Sequence, residues 1–425
     1  VHKKLAPTSE GKRITALDIL RGFAVIGIFV VNIQVMSCHF SHRGVCNAQW
    51  TSALDNTISM LIKLFFVHKF LAIFSFLFGV GIAMQLYKQI RKNNPDPWFF
   101  IRRMAGLYLL GMLHILLFWS GDVLHIYALL GLLLIWLMRK SNVLLIGAGI
   151  AFFVFPFYHQ VFGFLNNLLQ FSFIPNITDY THQELMAINL KGTYLDTVKL
   201  RISEYIYNIR GVYTGLVPRA FLMFTFGAWL VKKQVLSNMD QFVVDVRSKM
   251  ITAFLLSFTY LLLVYFVILP NMYLLNGPSL AVVKKIVARV NHLLYSFSNI
   301  VIALFYIWLL VYSLRWPISQ KVLGPLRYIG HMALTNYVMH SVIALFLFSS
   351  VGLGTYGNMR PSTGIIIVVV TSIFQILFSK IWLDHYKFGP LEWVWRCFTY
   401  KKYLMIRKNA GEQSGFSLSP DYYKN

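Results

Sequence analysis

Residues 13–34 read RITALDILRGFAVIGIFVVNIQ. From Ile19 onward the run is apolar enough to sit in lipid, yet Asp18 and Arg21 stand at its start and Asn32 near its end. A charged side chain inside a bilayer costs at least about 2.5–3.5 kcal/mol, so each one needs a partner, water or a task. Asp18 and Arg21 are three residues apart, on one helical face, where they can neutralise each other. Asn32 comes eleven residues after Arg21, three turns plus about 20°, so the three share a face over about 21 Å of helix. Gly22 and Gly27 leave room for a neighbouring helix. The spacing predicts a membrane helix lining a polar interior. A buried ion pair with one helix-bridging amide satisfies the same spacing.

The rest of the chain has the same character. It holds 425 residues, is 57% hydrophobic and 13% charged, and has a mean hydropathy of +0.61. A soluble protein of this size carries roughly twice that charged fraction. Ten apolar spans, near 14–36, 57–87, 98–119, 123–138, 142–164, 212–231, 250–269, 292–314, 328–350 and 362–383, predict an all-α polytopic integral membrane protein. Residues 14–400 form one transmembrane domain between tails at 1–13 and 401–425.

The net charge of +24 comes from short basic clusters between spans, not from a continuous stripe, which argues against a nucleic-acid partner. With the N-terminus inside, the inward segments and the C-terminal tail hold 26 of the 39 basic residues. The positive-inside rule then puts both termini in the cytoplasm of a multi-pass protein in a cytoplasmic membrane. The exception, AVVKKIVARVNH at residues 281–292, falls outside with three cations and reads as an interfacial amphipathic segment. The longest loop, about residues 165–211, is periodic around Leu185, Ile188 and Leu195 and again around Val198, Ile202 and Ile206. It predicts one or two surface helices, a lid over an outward opening. Cys38 and Cys46 share the first outward loop, and their spacing allows either a disulfide or two thiols. His39 and His42 lie beside them in no familiar metal-ligand spacing, so no metal is expected.

Polar residues cluster toward one depth. Lys69 lies about 27 Å along its span from the inward end at Tyr87. His114 precedes the turn at Ser120–Gly121, Asp122 opens the next helix as an N-cap, and Tyr127 follows one turn later. Asn32, Lys69, His114, Asp122 and Tyr127 are therefore expected at one level, near the outer face. Asn336 and His340, at i and i+4, define a wet or partnered face near mid-membrane. Gly389-Pro390 opens an interfacial helix rich in Trp, Tyr and basic residues that meets membrane lipids. The chain carries no P-loop, GxSxG, HExxH or CxxC, so those chemistries lack support.

The blocks LDILRGFAVIGIFVVNI, KFLAIFSFLFGVG, HILLFWSGDVLHIYALLGLLL, GHMALTNYVMHSVI and FGPLEWVWRCFTY together resemble the YeiB-like family of bacterial inner-membrane proteins, in order, from about residue 13 to residue 400. That family is grouped with transmembrane acyltransferases, including heparan-α-glucosaminide N-acetyltransferase, which pass an acyl group from acyl-CoA on the cytosolic side to a sugar on the other. The resemblance to that enzyme rests on Asp18, Arg21, Gly22 and Asn32. His39 and His42 occupy the loop in which it has its active histidine, whereas the YeiB-like pattern places a histidine at His114, with Gly121, Asp122 and Tyr127.

The resemblance implies a membrane acyltransferase, a lipid-linked or saccharide acceptor, acyl-CoA as donor and a homodimer. His114 is then the expected general base or transient acyl carrier, oriented by Asp122. Lys69 and Asn32 are the expected oxyanion donors. Asp18 and Arg21, with cations of the 88–103 loop, are expected to hold donor phosphates. Tyr127, Asn336 and His340 are expected to contact substrate. The other reading is a permease for a lipid-linked or small anionic molecule, with the same polar residues forming its path.

Overall fold

The computed structural model describes residues 15–91, 96–155, 177–271 and 281–408. Among these the chain is helical, with no strand beyond an isolated bridge between Tyr386 and Arg407. The helices are α1 (Thr15–Met36), α2 (Arg43–Ala48), α3 (Ala53–Phe65), α4 (Lys69–Arg91), α5 (Pro97–Leu117), α6 (Leu124–Met138), α7 (Asn142–Val154), α8 (His182–Lys191), α9 (Tyr194–Gly215), α10 (Val217–Lys232), α11 (Met239–Asp245) and α12 (Arg247–Leu263). They continue with α13 (Ala281–Ser313), α14 (Pro317–Leu323), α15 (Leu326–His331), α16 (Ala333–Phe348), α17 (Pro361–His385) and α18 (Pro390–Tyr400).

Six stretches among the described residues are long and apolar enough to cross a bilayer: Thr15–Met36, Ala53–Ile90, Trp98–Leu117, Arg247–Asn271, Val282–Ser313 and Pro361–His385. Leu124–Met138, Asn142–Val154 and Ala333–Phe348 are apolar but shorter. Helix α17 shows what solvent the protein is built for. It buries Thr371, Ser372, Gln375 and Ser379 and exposes Ile366, Val370, Phe374, Leu377 and Ile381. A helix with polar groups inward and apolar groups outward is matched to lipid, because a water-facing surface seldom carries so continuous an apolar patch.

Several expected spans are divided or extended. The 57–87 run breaks at Phe66–His68, where His68 takes a positive φ of 70°, so that Lys69 opens a new helix. The 328–350 run breaks at Met332, between α15 and α16. The stretch 281–292 is no separate interfacial segment; it continues into the span as the first turns of α13. The fifth expected span is described only as far as Phe155, and its remainder lies outside the described residues.

Close backbone contacts fix the bundle around the polar interior. A Cβ on Gly22 of α1 would lie 2.0 Å from the Leu326 carbonyl oxygen, and one on Gly330 of α15 would lie 1.8 Å from that of Asp18. Only glycine at both positions lets α1 and α15 touch through their backbones. Gly27 faces the ring of Phe70. The main apolar core joins α1, α4, α5, α6, α10 and α13 through residues such as Leu20, Ile73, Leu107, Leu134, Phe224 and Ala303.

Candidate functional site

The polar centre forms where α5 turns into α6 and meets α16. The turn can be tight because Gly111 lies against the start of α6: a Cβ there would come within 2.5 Å of the His125 nitrogen and 2.8 Å of Asp122 Oδ2. Asp122 divides its two oxygens between tasks. Oδ2 accepts from the backbone N–H groups of Leu124 (2.8 Å) and His125 (3.2 Å), capping α6, and also from His125 Nδ1 (3.1 Å). Oδ1 lies 2.9 Å from His114 Nδ1. A carboxylate only accepts, so Nδ1 of His114 carries the proton and Nε2 is left as an acceptor. Nε2 is 2.9 Å from Ser341 Oγ on α16. Asp122, His114 and Ser341 are all 1–2% exposed. The order carboxylate, imidazole, hydroxyl is the one in which a histidine can take a proton from an alcohol and return it.

Ser341 also borders a small cavity of about 60 Å³, whose wall includes His39, Asn189, Arg201, Glu204 and Tyr356. We call this the disulfide side, because Cys38, bonded to Cys46, lines it. Helices α8 and α9 cover it. Glu204 Oε1 accepts from His39 Nδ1 (2.9 Å) and the Phe40 N–H (3.0 Å), and Oε2 accepts from Ser120 Oγ (2.6 Å). Burial pushes the Glu204 carboxyl up, but the charge of His39 and the hydrogen bonds from His39, Ser120 and Phe40 outweigh it, leaving the group below its ordinary value. Arg201 donates to the carbonyls of Leu117 (2.9 Å) and Phe118 (3.0 Å), neutralising the C-terminal end of α5 one turn beyond His114. Tyr205 Oη, 3.0 Å from His125 Nε2, adds a second tie from α9 to the Asp122 cluster.

On the other side lies a larger cavity of about 280 Å³. Arg21, Lys88, Arg103 and Arg396 line it against two carboxylates, Asp18 and Glu392. Phe74 and Lys88, both in its wall, are fourteen residues apart on α4, so it runs about 21 Å along the bundle. Its apolar part includes Leu107, Leu124 and Tyr337. Helix α18 forms one flank and is locked in place by Glu392. Oε1 of Glu392 accepts from the N–H groups of Leu334 (2.7 Å) and Thr335 (3.1 Å), capping α16, and Oε2 accepts from Thr335 Oγ1 (2.5 Å). Burial raises the Glu392 carboxyl above its ordinary value, and the bonds from Thr335 and Leu334 offset this only in part. Trp395 Nε1 donates to the Arg103 carbonyl (2.7 Å), and the Arg103 guanidinium sits 3.9 Å from the Trp395 ring centre. We call this the α18 side.

The residues expected from sequence fall into three groups. His114 and Asp122 meet directly. Asp18 and Arg21 form an ion pair on the α18-side cavity, together with cations of the 88–103 stretch. The other five border neither cavity. Lys69 is fully buried, and its ammonium donates to the Lys63 carbonyl (3.2 Å), so it is not brought to His114. Asn32 is half-buried on α1. Tyr127 Oη lies 2.5 Å from Ser75 Oγ, tying α6 to α4. Asn336 donates to Ser379 Oγ (3.0 Å), and His340 Nε2 lies 3.0 Å from Gln375 Oε1, so their shared face is a ladder to α17. Helix spacing gave these five their depth but not the direction they face. Ser341, Glu204, Arg201 and Tyr337 were not anticipated. Ser341 follows His340 directly and stands one turn after Tyr337, a weak signal within an apolar helix.

Comparison with known proteins adds several relatives. Residues 230–402 match the family described as a protein of unknown function, DUF418. Over 423 residues the chain is 28% identical to the uncharacterized protein YxaH of Bacillus subtilis (strain 168), covering 96% of this chain and 99% of that one. Over 418 residues it is 26% identical to the uncharacterized protein YeiB of Escherichia coli (strain K12), covering 92% and 97%. The chain is similar to the YeiB-like proteins along nearly its whole length. An uncharacterized 39.9 kDa protein from the amylase 3' region of Bacillus acidopullulyticus is 26% identical over 416 residues, covering 95% and 99%. No solved structure matches. The DUF418 match takes in α16, α17 and α18, and so Tyr337, Ser341 and Glu392. His114 and Asp122 precede it.

Proposed function

We propose that this YeiB-like protein is a membrane acyltransferase, taking an acyl group from a donor on the α18 side and passing it to an acceptor on the disulfide side. One observation carries the reading: the two cavities stand on either side of a single turn of α16, with Tyr337 in one wall, Ser341 in the other, and the His114–Asp122 pair beside that turn. The excess of cations on the α18 side suits the phosphates of acyl-CoA, and the apolar depth around Leu107 and Leu124 suits its thioester arm. His114, held in its tautomer by Asp122, serves as general base for an acceptor hydroxyl or amine, such as that of a lipid-linked saccharide. A disulfide persists in an oxidising compartment, so the Cys38–Cys46 face is the outer one and the basic α18 face the cytoplasmic one, in a bacterial inner membrane.

A permease for an anionic molecule is the second reading. It draws on the break between α15 and α16 at Met332, since interrupted helices bordering a polar cavity recur in transporters. Purified protein incubated with labelled acetyl-CoA separates the two. The acyltransferase releases free coenzyme A and labels an acceptor or water, and His114→Ala lowers that rate about 10²–10⁴-fold. Full turnover in His114→Ala removes the assignment of the base. Uptake of an anion into proteoliposomes without any thioester cleavage establishes the permease instead.

A further inference from the structure

A base and its orienting carboxylate leave the hydroxyl of Ser341 unexplained. Buried helical serines commonly donate to the carbonyl four residues earlier, and this protein follows that habit at Ser75, to Leu71, and at Ser349, to Leu345, each at 2.7 Å. Ser341 departs from it. Its oxygen faces Nε2 of His114 at 2.9 Å, while its side chain borders the disulfide-side cavity. His114 is in turn fixed by Asp122 at 2.9 Å. The hydroxyl therefore has a general base behind it and open space beside it, the two conditions an alcohol needs to act as a nucleophile.

We propose that Ser341 is a nucleophile that carries the acyl group between the two cavities as an ester. The proposal rests on the acyl-transfer reading and deepens it. Ser341 Oγ adds to the thioester carbonyl carbon as its proton passes to His114 Nε2. The carbon–sulfur bond breaks, and the departing thiolate takes that proton, leaving a Ser341 ester and a free thiol. An acceptor hydroxyl or amine then gives its proton to His114 and adds to the ester carbonyl. The carbon–Oγ bond breaks, and Oγ recovers the proton. Asp122 remains ionised throughout and stabilises the transient imidazolium. The ester stage solves a geometric problem: the donor cavity ends at Tyr337, and the acceptor cavity begins one turn later at Ser341. Only the thioester end of the donor has to reach past Tyr337 to Oγ, and the ester then presents the acyl group to the acceptor while the phosphate-bearing part of the donor stays in the α18-side cavity.

The test uses the full-length protein in detergent and two reagents. A fluorophosphonate reports nucleophilicity alone, losing fluoride as a serine oxygen bonds to phosphorus. Labelled acetyl-CoA reports the acyl step. Peptide mass spectrometry is expected to find the phosphonyl group on Ser341, absent in Ser341→Ala and formed at least about a hundredfold more slowly in His114→Gln. With acetyl-CoA, the same peptide is expected to carry a hydroxylamine-sensitive acetyl group. Ser341→Ala removes one oxygen, and its folding is checked by monodisperse elution and an unchanged melting curve. Should that substitution unfold the protein, Ser341→Cys replaces it, and the acetyl group is then expected as a thioester on residue 341. Acetyl-CoA turnover with Ser341 unmodified, or the acetyl group found on His39 or His114, overturns the ester while leaving acyl transfer standing. Phosphonylation of Ser341 without any cleavage of acetyl-CoA keeps the activated serine and overturns acyl-CoA as its donor. Folded protein that reacts with neither reagent overturns both.

Discussion

Tyr337 and Ser341 occupy the same face of α16 one turn apart, and each borders a different cavity. Between them stands His114, whose ring centre is 5.3 Å from that of Tyr337 and whose Nε2 is 2.9 Å from Ser341 Oγ. One turn of helix rises about 5.4 Å, so the barrier between the two cavities is about as thick as a single aromatic side chain.

Tyr337 is therefore expected to act as a constriction, passing a thioester arm but nothing bulkier. In Ser341→Cys, a membrane-impermeant thiol reagent bulkier than a thioester arm should label residue 341 from the disulfide side and be excluded from the α18 side. Adding Tyr337→Ala should admit it from both sides, and Tyr337→Phe, which keeps the ring, should not. Vesicles of the two orientations provide the measurement. Equal labelling from both faces with Tyr337 intact would mean that the two cavities are one open path.

The cationic cavity makes a prediction about binding. Arg396→Gln removes a charge from its wall, where the guanidinium also lies 4.6 Å from the Phe388 ring. A charge-assisted contact is worth roughly 1.5–3 kcal/mol, so KM for an acyl-CoA donor should rise about tenfold or more while kcat stays near its original value. Asp18→Asn, which removes an acid from the same wall, should move donor affinity the other way. Initial rates at low and high salt check both, and an unchanged KM in Arg396→Gln would remove the α18 side as the donor site.

Glu392 fixes α18 to α16, and its two plausible replacements should differ. Glu392→Ala leaves the Leu334 and Thr335 N–H groups without their acceptor, at about 1–3 kcal/mol for each buried donor. Glu392→Gln keeps an oxygen there and avoids placing a charge in a buried site, so it should cost much less. Thermal unfolding of the two variants in one detergent tests this. Equal losses would show that the carboxylate's charge, not its acceptor oxygens, holds the joint.

What could be read from the sequence divides along a physical line. Apolar runs became helices because lipid-facing and core-facing positions are both apolar, and His114 met Asp122 because only eight residues and one tight turn separate them. Partners that meet through the tertiary fold were out of reach: Ser341 is 227 residues from His114, and Glu204 is 165 from His39. Lys69, Tyr127, Asn336 and His340 show the opposite failure. Period and depth were correct grounds for expecting buried polar groups. Which neighbour satisfies each one depends on how the helix is rotated, and that is set by packing contacts such as Gly22 against Leu326.

The two buried glutamates at opposite ends of the bundle should respond to pH in opposite senses. Glu204 lies below the ordinary value of 4.5 in the folded protein. Its stabilising effect is then complete above that value and is lost as pH falls through the depressed one. Glu392 lies above 4.5, so its contribution is complete below that value and is lost as pH rises through the raised one. Hydrogen exchange should accordingly show α9 loosening from the His39 loop only on the acid side of pH 4.5, and the start of α16 and α18 becoming better protected as pH falls from the raised Glu392 value toward 4.5. Glu204→Gln should abolish the first change alone, because the amide cannot titrate, and Glu392→Gln the second alone. If both regions lose protection together in the wild-type protein, the loosening is global acid unfolding, and if either trend survives its own glutamine substitution, that side chain's titration is not its cause.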